Sequence, residues 1–397
     1  MNRTQLAARM ARVAGHVVHE RLTRPVAHAA SDVPTGPAAF TTQWLTAVLC
    51  RDTPGARVMG FNVTDTSHGS TWRGRIELTY DVAGQAAGLP SSLWFKTSPT
   101  FTTRMVTGLT GAARNEGLFY TRVREGLDLL APYGYHAGAD AASCRSIVLL
   151  EDLTRTRGAS FGGPEERYVT RVMAQSMARE LAGYHGALWG SPRFGKDLRW
   201  VPSSLRWQQT VNAAIPFEKR TLIGIDHAAD VSAPGFIEHR QDVWPAFMRS
   251  LNLNILGSQT LLHQDLHAGN WYTAAGGEMG LYDWHCVARG GWALDVAYAF
   301  MSGLTVEDRR AWERELLEYY LERLCAAGVD PPGFDDAWLQ YRQQTFHGLA
   351  FWLITIGAGR LQPDMQPVEI SRANLSRMTA AVVDLNSFGA LNGTPSA

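Results

Sequence analysis

The stretch HQDLHAGN at residues 263–270, followed by YDW at residues 282–284, groups three side chains that carry oxygen atoms. Asp265 lies inside the first stretch, Asn270 ends it, and Asp283 follows the next apolar run. Phosphoryl transfer from a nucleotide needs a carboxylate that accepts the proton of the attacking hydroxyl, and oxygen ligands that hold Mg²⁺. The order of the residues predicts Asp265 as the base and the other two as Mg²⁺ ligands. The alternative is a chance cluster in an ordinary loop.

The composition predicts a large folded protein without a bulk charged partner. The chain has 397 residues, of which 45% are hydrophobic and 19% charged, enough for a large core and two lobes. Its 37 basic residues balance its 37 acidic residues, so neither a nucleic acid nor a membrane is expected as a partner. The four cysteines show no CxxC spacing, which predicts reduced thiols in a cytoplasmic protein without a structural zinc ion.

Residues 1–40 are predicted to form a helical extension and a linker. Residues 1–30 are basic, and Glu20 is their one carboxylate. Apolar residues recur there at helical spacing, and a segment rich in proline and glycine follows. The pattern favours an amphipathic helix that packs on the body of the protein. A targeting or membrane-surface helix is the alternative.

Two patterns of hydrophobicity divide the rest of the chain. Residues 41–152 carry short apolar runs typical of strands, whereas residues 153–397 carry apolar residues at helical spacing. The sequence therefore predicts an α+β protein with a small, β-rich N-terminal lobe and a larger, helical C-terminal lobe. The predicted strands are residues 57–63, 76–82, 93–95 and 147–150, and the predicted helices include residues 42–50, 115–127, 165–189, 305–325, 338–356 and 370–385.

The polar segment between the first two predicted strands contains Ser67, His68, Gly69 and Ser70. Small residues in such a segment allow backbone N–H groups to approach phosphate oxygens. We expect these four residues to contact the nucleotide phosphates. A polar hairpin turn explains the segment equally well.

Lys96 follows the third predicted strand, and Glu116 lies in the helix that comes next. In a kinase a lysine at this place contacts the α- and β-phosphates and is held by a helical carboxylate. The order predicts an ion pair between the two residues. The alternatives are a solvated lysine at a strand edge and an exposed acid favoured by the helix dipole.

The apolar run at residues 147–150 leads into Glu151-Asp152-Leu153, where the strand-rich part gives way to the helical part. A chain that crosses between lobes here offers adenine one backbone carbonyl and one backbone N–H. We expect Glu151 to supply the carbonyl and Leu153 the N–H. A plain exit from a strand into a loop is the alternative.

Four further polar residues are predicted to have structural roles. Asp295 lies in an apolar helical run, where an unpartnered carboxylate is costly, so it is expected to accept backbone N–H groups of the catalytic loop. His263 and His267 lack a third His or Cys at a spacing that suits zinc, which favours structural roles for both. His185 is expected to be a packed, hydrogen-bonded core residue.

Together these segments resemble the aminoglycoside phosphotransferase and choline kinase superfamily, which has the protein-kinase-like fold. The resemblance is nearest to the branch with the ecdysteroid-kinase-like small-molecule kinases. It spans about residues 55–300 and is most specific in the catalytic segments. The matching segments are Lys96, residues 115–120, residues 148–153, LAGYHGALW at 181–189, HQDLHAGNW at 263–271, LYDWH at 281–285 and GGWALDVAYAF at 290–300.

The resemblance implies ATP or another nucleoside triphosphate as donor, two Mg²⁺ ions, and transfer of the γ-phosphoryl group to a hydroxyl of a metabolite or antibiotic. It implies the same roles for Asp265, Asn270, Asp283 and the Lys96–Glu116 pair. The chain departs from the family at Gln264, where glycine is frequent, and at His285, where glutamine is common. It also lacks a GxGxxG sequence. A nucleotide-binding pseudokinase scaffold is an alternative from another class.

The acceptor is expected to be an uncharged or weakly charged alcohol. The charge of the chain is balanced, and many of its 13 tryptophans lie in the predicted C-terminal lobe. We expect a mainly apolar pocket that opens at Asp265 and is walled by residues 200–212, 244–253 and 338–356. The alternative is an antibiotic-resistance kinase with a polycationic aminoglycoside as acceptor.

Overall fold

The chain divides into two compact units, which are described separately. The first unit contains Met1–Gly126 and Pro132–Gly158, and the second contains Leu127–Ala131 and Ala159–Ala397. The first is built around a sheet and the second is mainly helical, which confirms the predicted α+β class. The computed structural model describes residues 3–69, 71–163, 167–213, 215–358 and 366–393.

The sheet of the first unit has five antiparallel strands in the order β1-β2-β3-β5-β4. In β2 and β3, buried residues alternate with more exposed ones, because successive side chains of a strand point to opposite faces. The inner face contributes Ile76, Leu93 and Phe95 to a core that also includes Trp44. The strands are β1 (Val58–His68), β2 (Trp72–Tyr80), β3 (Ser92–Thr97), β4 (Gly134–Asp140) and β5 (Arg145–Glu151).

Strand β4 was not expected from the sequence, since its glycines and alanines have low β propensity. Gly134, its first residue, allows the strand to pack closely against a neighbouring helix. A Cβ atom on Gly134 would lie 2.6 Å from the Cβ of Tyr120, so only glycine lets the backbone approach so closely. Strand β4 therefore packs closely against the helix that carries Glu116.

The helices of the first unit surround this sheet. The N-terminal helix packs on the unit through buried Val13 and Val17, and its Glu20 pairs with buried Arg104, as expected of a packed amphipathic helix. The helix at Phe101–Leu109 was not expected, because its threonines disfavour helix, but Thr100 and Thr103 form a capping box at its start. The helices are α1 (Arg3–Thr23), α2 (Thr42–Leu49), α3 (Val82–Ala86), α4 (Phe101–Leu109), α5 (Ala112–Arg122) and α6 (Leu153–Thr156).

The second unit is dominated by helices. The one helix predicted over residues 338–356 is two helices, which are separated by a turn at Gln344 and Thr345. The side-chain amides of Gln343 and Gln344 donate to backbone carbonyls of other segments at this junction. No helix among the described residues is long and apolar enough to cross a bilayer. The helices are α7 (Arg171–Ala187), α8 (Ser204–Asn212), α9 (Phe217–His227), α10 (Val243–Asn254), α11 (Ala293–Gly303), α12 (Val306–Ala326), α13 (Phe334–Gln343), α14 (Phe346–Ile356), α15 (Val368–Asp384) and α16 (Ser387–Ala390).

Five short strands in the second unit position its central loops. Strand β7 pairs with β10, and β8 pairs with both β6 and β9. The loop at residues 263–270 joins β7 to β8, and the loop at residues 282–287 joins β9 to β10, so the two pairings bring these loops side by side. The strands are β6 (Ser160–Phe161), β7 (Thr260–Leu262), β8 (Trp271–Thr273), β9 (Met279–Leu281) and β10 (Ala288–Gly290).

Candidate active site

The carboxylate of Asp295 holds the start of the loop at residues 263–270. It lies in the first turn of α11 and is fully buried. Its Oδ2 accepts the backbone N–H of His263 at 2.7 Å, and its Oδ1 accepts that of Gln264 at 2.9 Å. The predicted structural role of Asp295 is therefore confirmed.

Two side chains of α7 complete the environment of Asp295. The Tyr184 hydroxyl donates to Oδ2 at 2.6 Å, and His185 Nε2 lies 3.4 Å from the same oxygen. Burial by itself raises the pKa of Asp295, but the hydrogen bonds from His185 and Tyr184 lower the pKa below its ordinary value. His185 is buried and is also hydrogen-bonded to Tyr320, which confirms it as a packed core histidine.

His263 joins the two central loops. Its Nδ1 accepts the backbone N–H of Asp265 at 3.2 Å, and its Nε2 lies 2.9 Å from the carbonyl of Tyr282. A carbonyl only accepts, so Nε2 carries the proton. Burial lowers the pKa of His263, which keeps the ring neutral in this tautomer. The ring thus ties Asp265 to the residue that precedes Asp283.

Gln264 occupies a left-handed backbone conformation, with φ of 67°. Glycine adopts this conformation without steric strain, which accounts for a glycine preference at such a position. Here the glutamine has partners of its own. Its side-chain amide nitrogen donates to the backbone carbonyl of Cys286 at 2.7 Å, and its own backbone carbonyl accepts from His347 Nε2 at 2.8 Å.

The carboxylate of Asp265 is held by two hydrogen bonds. Asn270 Nδ2 donates to Oδ2 at 3.1 Å and to the backbone carbonyl of Asp265 at 2.8 Å. The Tyr298 hydroxyl donates to Oδ1 at 3.2 Å. Because Asn270 uses its nitrogen in this way, its Oδ1 is the atom that remains to bind a cation.

Tyr298 was not identified from the sequence. It lies three residues after Asp295 on α11, so one helical turn places both side chains on the same face. Burial and the nearby charge of Asp265 raise the pKa of Tyr298 well above its ordinary value, so the hydroxyl keeps its proton and donates it. The available signal was the i, i+3 spacing from Asp295, but Tyr298 otherwise resembles any core aromatic residue.

His285 lies between the two aspartates. Its Nδ1 is 2.5 Å from Asp283 Oδ1, and its Nε2 is 3.9 Å from Asp265 Oδ2. Burial acts to lower the pKa of His285, but the negative charge of Asp283 outweighs it and holds the pKa well above its ordinary value. Asp283 itself has a left-handed backbone, with φ of 65°, at the turn after β9. The residue that departs from the family pattern thus contacts Asp283 directly.

His267 has the structural role predicted for it. Its Nδ1 accepts the backbone N–H of Gly269 at 3.0 Å, which closes the loop before Asn270. Its Nε2 then carries the proton and lies 3.9 Å from Asp265 Oδ2. Burial lowers the pKa of His267, so the ring is neutral.

The three residues that the sequence predicted for catalysis and metal binding therefore lie in one site of the second unit. Asp265 and Asn270 are hydrogen-bonded to each other. His285 contacts Asp283 through Nδ1, and its Nε2 lies 3.9 Å from Asp265 Oδ2. The side chains of Asp265 and Asp283 are 14% and 17% exposed, so they are reachable from solvent but largely shielded. Their roles as base and metal ligands stay predictions.

An aromatic cluster lies beside this site. Trp207 stacks on Phe351 with ring centroids 5.7 Å apart, and Phe217 packs edge-on against the same ring. Cys286, next to His285 in the chain, belongs to the cluster as well. The segments predicted to wall the acceptor pocket thus contribute to one cluster, although these rings pack largely against one another. The members are Trp207, Val211, Ile215, Phe217, Trp244, Cys286, Ala288, Phe351 and Ile354.

In the first unit the predicted ion pair is present. Lys96 Nζ on β3 lies 3.0 Å from Glu116 Oε1 on α5. The two side chains are 11% and 3% exposed, so neither is the solvated surface residue that the alternative required. The contact of Lys96 with nucleotide phosphates stays a prediction.

The segment predicted to contact phosphates is a tight hairpin. Ser67 and His68 belong to the end of β1, which extends further than expected, and His68 pairs with Trp72. The Gly69 N–H donates to the Thr71 carbonyl at 3.0 Å across the turn. Ser70 lies outside the described residues. The geometry fits the hairpin alternative, and phosphate binding by this segment stays a prediction.

Glu151 and Leu153 lie where β5 ends and α6 begins. The Glu151 N–H donates to the Tyr133 carbonyl at 2.8 Å, and its carboxylate pairs with Arg157 at 2.8 Å. The Leu153 carbonyl accepts the N–H of Arg157 at 3.0 Å. The two groups assigned to adenine, the Glu151 carbonyl and the Leu153 N–H, stay a prediction.

A comparison with known protein families decides the identity of the chain. The model of the phosphotransferase enzyme family matches residues 111–365, which include every residue of the central site. The chain belongs to this family. It is therefore a phosphotransferase, and this membership confirms the resemblance to a phosphotransferase family that the sequence indicated. Nearness to the ecdysteroid-kinase-like branch stays a prediction.

Three solved structures of kinases and phosphotransferases are similar to this chain. A choline kinase from Cryptosporidium parvum Iowa II is 12% identical with a TM-score of 0.50, and 86% of this chain and 95% of that one are covered. A choline kinase from Streptococcus pneumoniae is 14% identical with a TM-score of 0.45 over 82% and 94% of the two chains. A macrolide 2'-phosphotransferase type I is 14% identical with a TM-score of 0.45 over 85% and 96%. Among curated proteins none matches the chain.

Substitution of Asp295 tests its role in holding the loop. We expect Asp295→Asn to lower the free energy of unfolding by about 3 kcal/mol. The asparagine NH₂ group would face a backbone N–H group and cannot accept its hydrogen bond, as the carboxylate oxygen does. Since the pKa of Asp295 is lowered in the folded protein, this stability is complete above the ordinary carboxyl pKa. It is lost as the pH falls through the lowered value. Urea unfolding of both proteins across pH measures the difference.

The matched control is Asp226→Asn, which removes an aspartate that is 55% exposed and pairs with Arg240. Surface pairs of this kind contribute little to stability. Equal effects of the two substitutions would show that the loop does not depend on Asp295.

Proposed function

We propose that this phosphotransferase moves the γ-phosphoryl group of ATP, or of another nucleoside triphosphate, to a hydroxyl of an uncharged small molecule. The observation that carries the proposal is the carboxylate of Asp265, held by Asn270 and Tyr298 in the same site as Asp283. All polar groups that the reaction requires are present, which argues against a pseudokinase scaffold. Membership of the family limits the chemistry to phosphoryl transfer.

Asp265 is proposed as the general base. The acceptor oxygen forms a bond to the γ-phosphorus while the bond from that phosphorus to the leaving oxygen of the nucleoside diphosphate breaks. The proton of the acceptor hydroxyl moves to the Asp265 carboxylate. Tyr298 and Asn270 act as positioning residues, because each donates to one carboxylate oxygen and fixes its direction.

Asn270 and Asp283 are proposed as the ligands of a magnesium ion. Mg²⁺ prefers carboxylate and amide oxygens, and Asn270 keeps its Oδ1 for this purpose while its nitrogen serves Asp265. When bound, the ion neutralises the charge of the nucleotide phosphates. Lys96, held by Glu116, is proposed to add a positive charge at the α- and β-phosphates.

The surroundings of the site favour an uncharged acceptor. The aromatic cluster reaches the site through Cys286. Three helices that contribute residues to this cluster contain no aspartate or glutamate. They are α8, α10 and α14. A polycationic aminoglycoside would therefore find no carboxylate on these helices, whereas an apolar alcohol finds apolar surface.

Replacement of the base tests the mechanism. We expect Asp265→Asn to lower turnover by roughly 10² or more, since the amide cannot take the proton that a positioned base accepts. Nucleotide affinity, measured by calorimetry, should change little. Tyr298→Phe should lower kcat by a smaller factor and leave the KM for nucleotide unchanged, as expected of a residue that positions the base. Turnover near the wild-type rate in Asp265→Asn would remove this residue from the mechanism.

A panel of acceptors tests the substrate class. Purified protein with Mg²⁺ and ATP is assayed for nucleoside diphosphate release with steroid and polyketide alcohols, nucleosides, macrolides, choline and kanamycin. We expect release to be stimulated by a neutral, largely apolar alcohol. Stimulation by kanamycin alone, or by choline alone, would contradict the uncharged acceptor while leaving the kinase chemistry in place.

A further inference from the structure

Three side chains at the site offer ligand atoms of a kind that differs from the all-oxygen set preferred by magnesium. Asp265, His285 and Cys286 each present one ligand atom, and these three atoms all lie within 4.8 Å of one another. The set contains one oxygen, one nitrogen and one sulfur. Thiolate and imidazole ligands select softer cations such as Zn²⁺, whereas Mg²⁺ takes oxygen ligands.

The orientation of His285 fits cation binding. Its Nδ1 is hydrogen-bonded to Asp283 Oδ1 at 2.5 Å, which leaves Nε2 on the side of Asp265, 3.9 Å from Oδ2. Histidines that bind metals commonly donate one ring N–H to a carboxylate, which fixes the ring and directs the other nitrogen at the ion. Asp283 provides that carboxylate for His285.

The spacing of the three atoms is close to that of a zinc site. Ligands at about 2.0–2.3 Å from a tetrahedral Zn²⁺ lie roughly 3.5 Å apart. The three atoms lie within 4.8 Å of one another, so binding requires side-chain rotations that bring them about 1 Å closer together. The His285 side chain is 32% exposed, so an ion can reach the group from solvent, and Cys286 is buried behind it.

We propose that Asp265, His285 and Cys286 form a binding site for Zn²⁺ or a cation of similar softness. Three protein ligands leave the fourth position for water. On binding, the Cys286 thiol and Nε2 of the protonated His285 ring each release a proton to solvent, because the thiolate and the neutral imidazole are the ligands. The site differs from the pair of oxygen ligands that Asn270 and Asp283 provide. The sequence did not indicate it, because the cysteines show no CxxC spacing.

Occupation of this site blocks phosphoryl transfer. The ion takes the carboxylate of Asp265, which then cannot accept the proton of an acceptor hydroxyl. This consequence rests on the proposed function, whereas the binding itself rests on the geometry of the three ligands. Zinc binding and zinc inhibition are therefore measured separately.

Binding is tested with Co²⁺ and Zn²⁺ on the full chain in excess Mg²⁺. Co²⁺ bound to a thiolate gives a sulfur-to-cobalt charge-transfer band, and Zn²⁺ affinity is measured by competition with a chromophoric chelator. We expect the band in the wild-type protein and its loss in Cys286→Ser. We expect Zn²⁺ affinity to fall at least tenfold in Cys286→Ser and in His285→Gln. Cys325→Ser, at an exposed thiol, is the matched control and should behave as wild type.

Two results would overturn the proposal. One is a cobalt band that persists in Cys286→Ser, and the other is equal Zn²⁺ affinity in wild type and in both variants. Circular dichroism verifies that each variant is folded, and His285→Gln keeps the test decisive if Cys286→Ser fails to fold. Zn²⁺ that binds through Cys286 and His285 without slowing turnover means that Asp265 is either not a ligand or not the base. The Zn²⁺ affinity of Asp265→Asn separates the two outcomes: an unchanged affinity overturns the proposed three-ligand site, and a lowered affinity keeps the site and removes Asp265 as the base.

Discussion

The buried carboxylate of Asp295 is the interaction on which the site depends. A full charge without solvent is stable only when it is completely hydrogen-bonded, and here the partners are two backbone N–H groups, a tyrosine and a histidine. The backbone groups belong to His263 and Gln264, so the need to satisfy one charge determines where the loop begins. Because Asp295 lies on α11, the same helix also delivers Tyr298 to Asp265 one turn later.

Two histidines of the loop at residues 263–270 add further hydrogen bonds to it while they remain neutral. Burial keeps His263 and His267 neutral, and in each ring Nδ1 accepts a backbone N–H while Nε2 carries the proton. His263 thereby connects Asp265 to the segment of Asp283, and His267 shapes the turn before Asn270. His285 is different, since it lies against Asp283 and favours the charged form. The imidazole that is least typical of the family is thus the one that faces both aspartates.

The sequence predicted the residues whose chemistry is unusual for their surroundings. A carboxylate in an apolar helix requires donors, so the role of Asp295 was predictable, and the pairing of Lys96 with Glu116 followed from the order of strand and helix. Tyr298 was missed because a tyrosine in an apolar helix is ordinary. The left-handed conformation of Gln264, the break between α13 and α14, and the approach of His285 and Cys286 to Asp265 depend on tertiary contacts that no local pattern encodes.

The central claim is that Asn270 and Asp283 hold the cation of a phosphoryl-transfer site while Asp265 stays available as the base. Crystals of the full chain with Mn²⁺ and a non-hydrolysable ATP analogue test it most directly, because anomalous scattering locates the manganese. The account predicts a manganese peak about 2.1 Å from Asn270 Oδ1 and from a carboxylate oxygen of Asp283, with Asp265 outside the coordination sphere. A peak distant from both residues, or one coordinated by Asp265 in place of them, would contradict it.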